Sequence, residues 1–259
     1  MNRSPWLGGE ILRDITRGGL AGLIVAFVVA GLGGRLVMRL AALLVPGATG
    51  ALTENGNRIG DVTLAGSVGL ILFVGLAGSI ILATVWVSIA PWLPGRGVVP
   101  GLVAMPVAVA LGAFVLVSAG NPDFIVLGHS PIVVILLLAL IALTAPSMAV
   151  ADGWLDRRLP HAWSIGSLPG IVYLALAVIG VAFGSLLVIQ SIVGLKAQVL
   201  GITVLACGIV TIVWWAQRLG GAPEPSRLLR IAGRMILVVG TAAGYVALAP
   251  DLEVVLLLG

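Results

Sequence analysis

Long apolar runs separated by short polar turns follow one another from Gly18 to Gly259. Of the 259 residues, 60% are hydrophobic and 9% are charged, whereas about 25% of the residues in a soluble domain are charged. A water-soluble fold of this length cannot bury so much apolar surface. In a lipid bilayer such surface can face the hydrocarbon chains. About 20 apolar residues form a helix long enough to cross the bilayer. The chain is therefore predicted to be all-α, a polytopic transmembrane helical bundle.

The apolar runs predict seven membrane spans, which cover residues 18–45, 64–90, 97–119, 131–151, 168–194, 198–216 and 231–249. Residues 1–17 are then an N-terminal segment on the cytoplasmic side, and residues 18–259 form a single transmembrane domain. No cleavable signal peptide is predicted, because residues 1–17 carry five charged side chains and the first apolar run is too long for a signal-peptide core.

Arginine and lysine divide unequally between the two sides of this predicted bundle. Ten of the fourteen lie on the side of the N-terminus, and short cytoplasmic loops are rich in these residues. The bias predicts the N-terminus inside and the C-terminus outside. All seven tryptophans fall at the same ends of the spans, where they would form an interfacial belt. Arginine outnumbers lysine thirteen to one, as in GC-rich bacterial genomes, so a multi-pass protein of a bacterial inner (cell) membrane is expected.

Two arginines stand inside the first apolar run, in GGRLVMRLAALLV. The stretch from Gly18 to Gly34 contains 17 residues without a charge, about 26 Å of helix, so Arg35 is expected near the outer boundary of the hydrocarbon. Arg39 follows one turn later on the same face. Because an ionisable side chain at membrane depth is costly, it marks a functional site by default.

Two predicted outer loops add polar side chains beside this pair. The candidate ligand-binding residues are Arg35, Arg39, Glu54, Asn55, Asn57, Arg58, Asp61, Asn121 and Asp123. In one interpretation the arginines pair with these carboxylates and pin the loops over the bundle; a buried pair of this kind would make Arg39→Leu cost a few kcal/mol. In another, an arginine binds an anionic lipid headgroup, a carboxylate or an acidic residue of a partner protein. Simple snorkelling to the interface is the third.

Three further arginines, Arg227, Arg230 and Arg234, run at helical spacing into the seventh predicted span. We expect them to contact anionic lipid of the inner leaflet. Several spans also carry small residues four apart, which suits close packing within the bundle or formation of a homodimer. These faces are Gly18 and Gly22, Ala104, Ala108 and Gly112, Gly180 and Gly184, and Gly240 and Gly244.

Common catalytic and cofactor motifs do not occur in the sequence. It contains no HExxH and no GxxxxGK[ST], and its one cysteine, Cys207, can form neither an internal disulfide nor a metal cluster. Both histidines lie in predicted loops, which argues against haem ligation between helices. The net charge of +4 is spread over short loops, as for a membrane-surface partner rather than nucleic acid. We therefore predict no catalytic residue, no metal and no cofactor.

The run GGRLVMRLAALL, then TENGNRIGDVTLAG and then NPDF resemble a group of bacterial polytopic membrane proteins without an assigned activity. The resemblance covers about the first 130 residues and implies only a similar membrane bundle. The favoured hypothesis is a binding or accessory membrane component that recognises an anionic lipid headgroup or a partner protein. The alternatives are a transporter or permease for a small anionic or amphipathic solute, and a membrane enzyme that acts on a lipid.

Overall fold

The computed structural model describes residues 7–45, 49–50, 64–117, 130–162, 164–194 and 197–257. Within these ranges the chain is helical and contains no β-strand. The helices are α1 (Leu7–Val25), α2 (Gly33–Leu44), α3 (Leu64–Ile89), α4 (Val99–Leu116), α5 (Pro131–Asp156), α6 (Leu168–Val193), α7 (Gln198–Leu219) and α8 (Arg227–Leu257). A π-helical segment, Ala26–Leu32, joins α1 to α2, and a 3-10 turn, Ala90–Trp92, follows α3.

Six helical stretches are long and apolar enough to cross a membrane. They are Leu7–Leu44, Gly75–Trp92, Pro131–Asp156, Leu168–Val193, Gln198–Leu219 and Arg227–Leu256. The structure therefore confirms an all-helical architecture with several apolar helices, as in a multi-pass membrane protein, and six of the seven predicted spans correspond to such helices. The remaining prediction, residues 97–119, corresponds to α4, whose described apolar stretch, Val99–Ala113, is shorter than a full span.

The first helix is longer than the span predicted within it. In the described chain it begins at Leu7 and continues through the π-helical segment to Leu44 as one rod of 38 residues, about 57 Å long. The charged residues from Glu10 to Arg17 belong to its first turns. Because a hydrocarbon core is about 30 Å thick, this helix extends well beyond the apolar layer.

The main core lies among α1, α3, α4, α5, α7 and α8. Its fully buried members include Ala21 of α1, Met148 of α5 and Cys207 of α7. Cys207 packs as a small hydrophobic residue, as the sequence predicts. Helix α6 contributes little to this core: 17% of its apolar window is buried, against 28–33% in the other five candidate spans. It therefore lies at the periphery of the bundle.

The small residues four apart bring helices of the same chain together. A methyl group at Gly22 would lie 2.8 Å from the backbone nitrogen of Ala83 on α3, and one at Gly244 would lie 2.5 Å from the carbonyl oxygen of Ala110 on α4. Gly180 is different, because a methyl group there would meet no atom within 4 Å. Close backbone approach of this kind stabilises membrane bundles by van der Waals packing.

Two tryptophans lie in the core rather than in the predicted interfacial belt. Trp92 is fully buried and Trp86 is 5% exposed. The indole Nε1 of Trp92 donates to Thr211 Oγ1 at 3.1 Å, and that hydroxyl donates to the carbonyl of Ser88 at 3.0 Å. Gly233 of α8 leaves the space that the Trp92 ring occupies. Both residues lie near helix ends, as the sequence predicts, but their orientation depends on neighbours that the sequence pattern does not show.

Candidate functional site

The two arginines singled out by the sequence lie on α2. Arg35 is partly buried and Arg39 is exposed, and both side chains are engaged in polar or electrostatic interactions. The other face of α2 buries Val37, Ala41 and Ala42, and the two alanines pack with the first residues of α5 and with Val255. The predicted partners of the pair, Glu54, Asn55, Asn57, Arg58, Asp61, Asn121 and Asp123, lie outside the described residues. We call Arg35, Arg39 and these predicted partners the outer cluster. Its assembly therefore stays a prediction.

At the other end of the same rod, Arg17 of α1 contacts three carboxylates. Its Nε donates to Asp152 Oδ1 at 2.8 Å and its Nη1 donates to Asp156 Oδ1 at 2.6 Å, both on α5. Nη1 also lies 3.6 Å from Asp14 Oδ1 on its own helix. The side chains of Arg17, Asp152 and Asp14 are 19–23% exposed and that of Asp156 is 49% exposed, so the pairs with Asp152 and Asp14 are largely shielded from solvent.

Arg13 caps the end of α5. It is 5% exposed, and its Nη1 donates to Asp156 Oδ1 at 2.9 Å while its Nη2 donates to the carbonyl of the same residue. Its Nε donates to the carbonyl of Leu159 at 3.2 Å. The last carbonyls of a helix have no intrahelical donor, and a guanidinium supplies several donors in a fixed geometry. Arg13 thus donates to carbonyl groups at the end of α5 and also forms an ion pair with the carboxylate of Asp156.

One more ion pair and one contact of a histidine with a carboxylate extend this arrangement to the neighbouring elements. Arg218 of α7 donates from Nη1 to Asp14 Oδ2 at 2.7 Å. His161 Nδ1 lies 2.7 Å from Glu10 Oε1. We call the whole set the α1 network: Glu10, Arg13, Asp14, Arg17, Asp152, Asp156, His161 and Arg218. The end of the bundle that carries it is called the N-terminal face.

The α1 network is not predicted from the sequence, although the sequence contains one signal for it. Arg13 and Arg17 are four residues apart, and so are Asp152 and Asp156. Side chains four residues apart lie on the same face of a helix. The two arginines can therefore meet the two aspartates when their helices pack side by side. The sequence does not show that α1 packs on α5, so it does not predict which of these charges meet.

An apolar groove of about 620 Å³ lies among α1, α3, α6 and α7. On α1 its lining runs from Ile15 to Leu23, and on α7 it runs from Val204 to Trp215, about 16 Å of helix. No charged residue is among the described residues that line it. Exposed side chains such as Phe183 of α6 form its rim, so the groove opens toward the surroundings of the bundle.

The course of α6 across its neighbours explains why this groove exists. Near the start of α6 the carbonyl of Tyr173 accepts a hydrogen bond from Thr16 Oγ1 of α1 at 3.4 Å. Halfway along, Gly184 faces Thr84 of α3, where a methyl group would lie 2.7 Å from the threonine hydroxyl. The last turn of α6 packs on Gly201 of α7. Because α6 moves from α1 to α7 along its length, it leaves space between these contacts.

Four of the hydroxyl groups that line the groove donate hydrogen bonds within the protein, those of Thr16, Ser79, Ser88 and Thr211. Ser88 Oγ donates to the carbonyl of Thr84 at 2.8 Å, and Ser79 Oγ donates to the carbonyl of Leu76 at 2.7 Å. Such bonds to the preceding turn are the usual arrangement for serine inside a helix. The surface of the groove is therefore mainly apolar.

The remaining candidates, Arg227, Arg230 and Arg234, are exposed on the first turns of α8 at the N-terminal face. Arg230 Nη2 lies 3.4 Å from Glu224 Oε2, and Arg234 Nε donates to the carbonyl of Trp92 at 3.4 Å. Across the described ranges, no group of three His, Cys, Asp or Glu side chains is arranged to hold a metal ion. No protein-family model, curated protein or solved structure matches this chain.

Proposed function

We propose that the protein is a binding component of a membrane, without catalysis, and that it holds the hydrocarbon chain of an amphipathic lipid in the groove beside α6. The observation that carries this proposal is the groove itself, whose volume of about 620 Å³ is in the range of small-molecule sites, about 300–1,000 Å³. Apolar cavities of this kind do not retain water. A groove that opens beside membrane-spanning helices is therefore filled by a hydrocarbon chain.

The position of the groove along α1 supports a ligand with a polar end. The lining residues on α1 begin at Ile15, next to the charged residues of the α1 network, and continue into the charge-free run after Arg17. A chain bound along this path has one end beside charged groups and the other in the apolar layer. This matches a lipid whose headgroup lies at the N-terminal face. It does not match a small anion, because the groove offers no charged lining among the described residues.

The finer topology belongs to the same proposal. We propose seven spans, with α4 as the third, the N-terminus in the cytoplasm and the C-terminus outside the cell membrane. The excess of arginine on the N-terminal side supports this orientation. We also retain the outer cluster around Arg35 and Arg39 as a second binding site, for an anionic headgroup or an acidic residue of a partner protein.

Native mass spectrometry of the gently extracted protein tests the groove. Gly180 lines the groove and has open space beside its Cα, so Gly180→Leu fills the groove with little strain. Ala182→Leu is the matched control, because Ala182 is exposed on the same helix and does not line the groove. We expect a bound lipid in the wild type and in Ala182→Leu, and its loss in Gly180→Leu.

A second variant in the same experiment distinguishes binding at the groove from binding at the outer cluster. If Gly180→Leu keeps the same bound lipid at the same occupancy, the groove is not its site. If that lipid is lost instead in the Arg35→Gln/Arg39→Gln double variant, the outer cluster binds it. Equal unfolding midpoints for the variants show that any loss reflects the site rather than the fold.

A further inference from the structure

The charges at the N-terminal face are segregated. Its four carboxylates on the helices, those of Glu10, Asp14, Asp152 and Asp156, all accept contacts within the α1 network. Six arginines lie outside the network and are exposed: Arg96, Arg157, Arg158, Arg227, Arg230 and Arg234. One carboxylate, that of Glu224, contacts this second group, and its side chain is 84% exposed. These six arginines thus form a positive surface on which few carboxylates balance the charge.

The six arginines come from helix ends that lie side by side. Gly101 near the start of α4 packs on Pro146 and Ala149 of α5. Gly233 near the start of α8 packs on the ring of Trp92, in the turn that leads to α4, and Arg234 donates to the carbonyl of Trp92. The starts of α4 and α8 and the end of α5 therefore form one surface, which we call the α4–α5–α8 surface. The groove lies elsewhere, among α1, α3, α6 and α7.

The aromatic residue at this surface indicates its depth. The guanidinium of Arg158 lies 4.8 Å from the centre of the Trp154 ring, and Trp154 is 42% exposed. An exposed indole at the end of a membrane-spanning helix lies at the level of the lipid headgroups. Arginine stacked on it keeps its charge at the same level. The arginines are therefore placed to contact phosphates of the bilayer.

We propose that the α4–α5–α8 surface binds the phosphate-bearing headgroup of an anionic phospholipid. Basic surfaces between membrane helices recognise such headgroups, and guanidinium groups bind phosphate oxygens in a bidentate manner. This site is separate from the proposed groove, because its residues lie on other helices. Arg96, Arg157 and Arg227 make no hydrogen bond or ion pair within the described part of the chain, so their donors are available to the headgroup.

The test compares anionic and zwitterionic lipid in nanodiscs that contain the full chain. The nanodiscs hold phosphatidylglycerol and phosphatidylcholine in equal amounts, and native mass spectrometry measures the ratio of the two lipids that remain bound. We expect a preference for phosphatidylglycerol that falls about fivefold for each arginine removed at low salt. The triple variant Arg227→Gln/Arg230→Gln/Arg234→Gln should therefore lose most of it, and added salt should weaken it in the wild type.

The matched control is Arg227→Lys/Arg230→Lys/Arg234→Lys, which keeps the charge and should keep most of the preference. An unchanged preference in the glutamine triple variant would overturn the proposal. So would displacement of the bound phosphatidylglycerol by poly-glutamate at equal charge concentration, because it would show that the surface prefers an acidic protein segment. Gly180→Leu should leave the preference unchanged, which separates this result from the outcome for the groove.

Discussion

One continuous helical rod carries two arginine pairs with the same four-residue spacing. Arg13 and Arg17 lie near its start, and Arg35 and Arg39 lie near its end. Arg13 is 5% exposed and donates to a carboxylate and to two carbonyl groups, whereas Arg39 is exposed. The comparison shows that an arginine pair inside an apolar run of the sequence is not necessarily the more buried one. The burial of each pair depends on the helix that packs against it.

The energetic consequence differs in the same way. A charge that is shielded from water depends on its partner, because removal of one member strands the other in a poorly solvated place. An exposed pair is solvated in either state and contributes about 0–1 kcal/mol. Substitutions along the rod should therefore lower stability strongly at the α1 network and weakly at α2.

Arg17→Leu should have the largest effect. It leaves Asp152, whose side chain is 19% exposed, without the guanidinium that lies 2.8 Å away. We expect a loss of about 3 kcal/mol in the free energy of unfolding. Unfolding of the purified protein in detergent measures this loss.

The double variant Arg17→Leu/Asp152→Leu is the control for that experiment. Replacement of both members of a shielded pair by apolar residues is often neutral, so the double variant should recover most of the lost stability. If the two single substitutions and the double variant are equally unstable, the α1–α5 contact depends on side-chain packing rather than on the ion pair.

Much of the fold could be predicted from apolar run length, because a membrane leaves few alternatives to helices. Six predicted spans have counterparts in the structure. The partner of a helix could not be predicted in this way: Arg17 and Asp152 are 135 residues apart, and neither residue alone indicates the contact. The groove was not predicted for the same reason, since it arises from the course of α6 over three neighbours.

Arg218→Leu should have an intermediate effect. It removes the hydrogen bond of 2.7 Å from Arg218 Nη1 to Asp14, but Asp14 keeps Arg17 at 3.6 Å. We expect a loss of about 1.5 kcal/mol, as for one hydrogen bond to a charged group. Arg227→Leu is the control, because it removes an exposed arginine at the same face and should change the unfolding midpoint little. Equal losses in both variants would mean that overall charge, rather than the contact with Asp14, sets the stability here.

Arg39→Leu should have the smallest effect of the three. A buried ion pair would make this substitution cost a few kcal/mol, but the Arg39 side chain is exposed, so a loss of less than about 1 kcal/mol is expected. Unfolding in detergent beside Arg17→Leu measures the difference directly. A loss as large as that of Arg17→Leu would show that the two arginine pairs are energetically alike, and the contrast between the two ends of the rod would then be wrong. A small loss, together with altered lipid or partner binding, would instead assign Arg39 to recognition rather than to the fold.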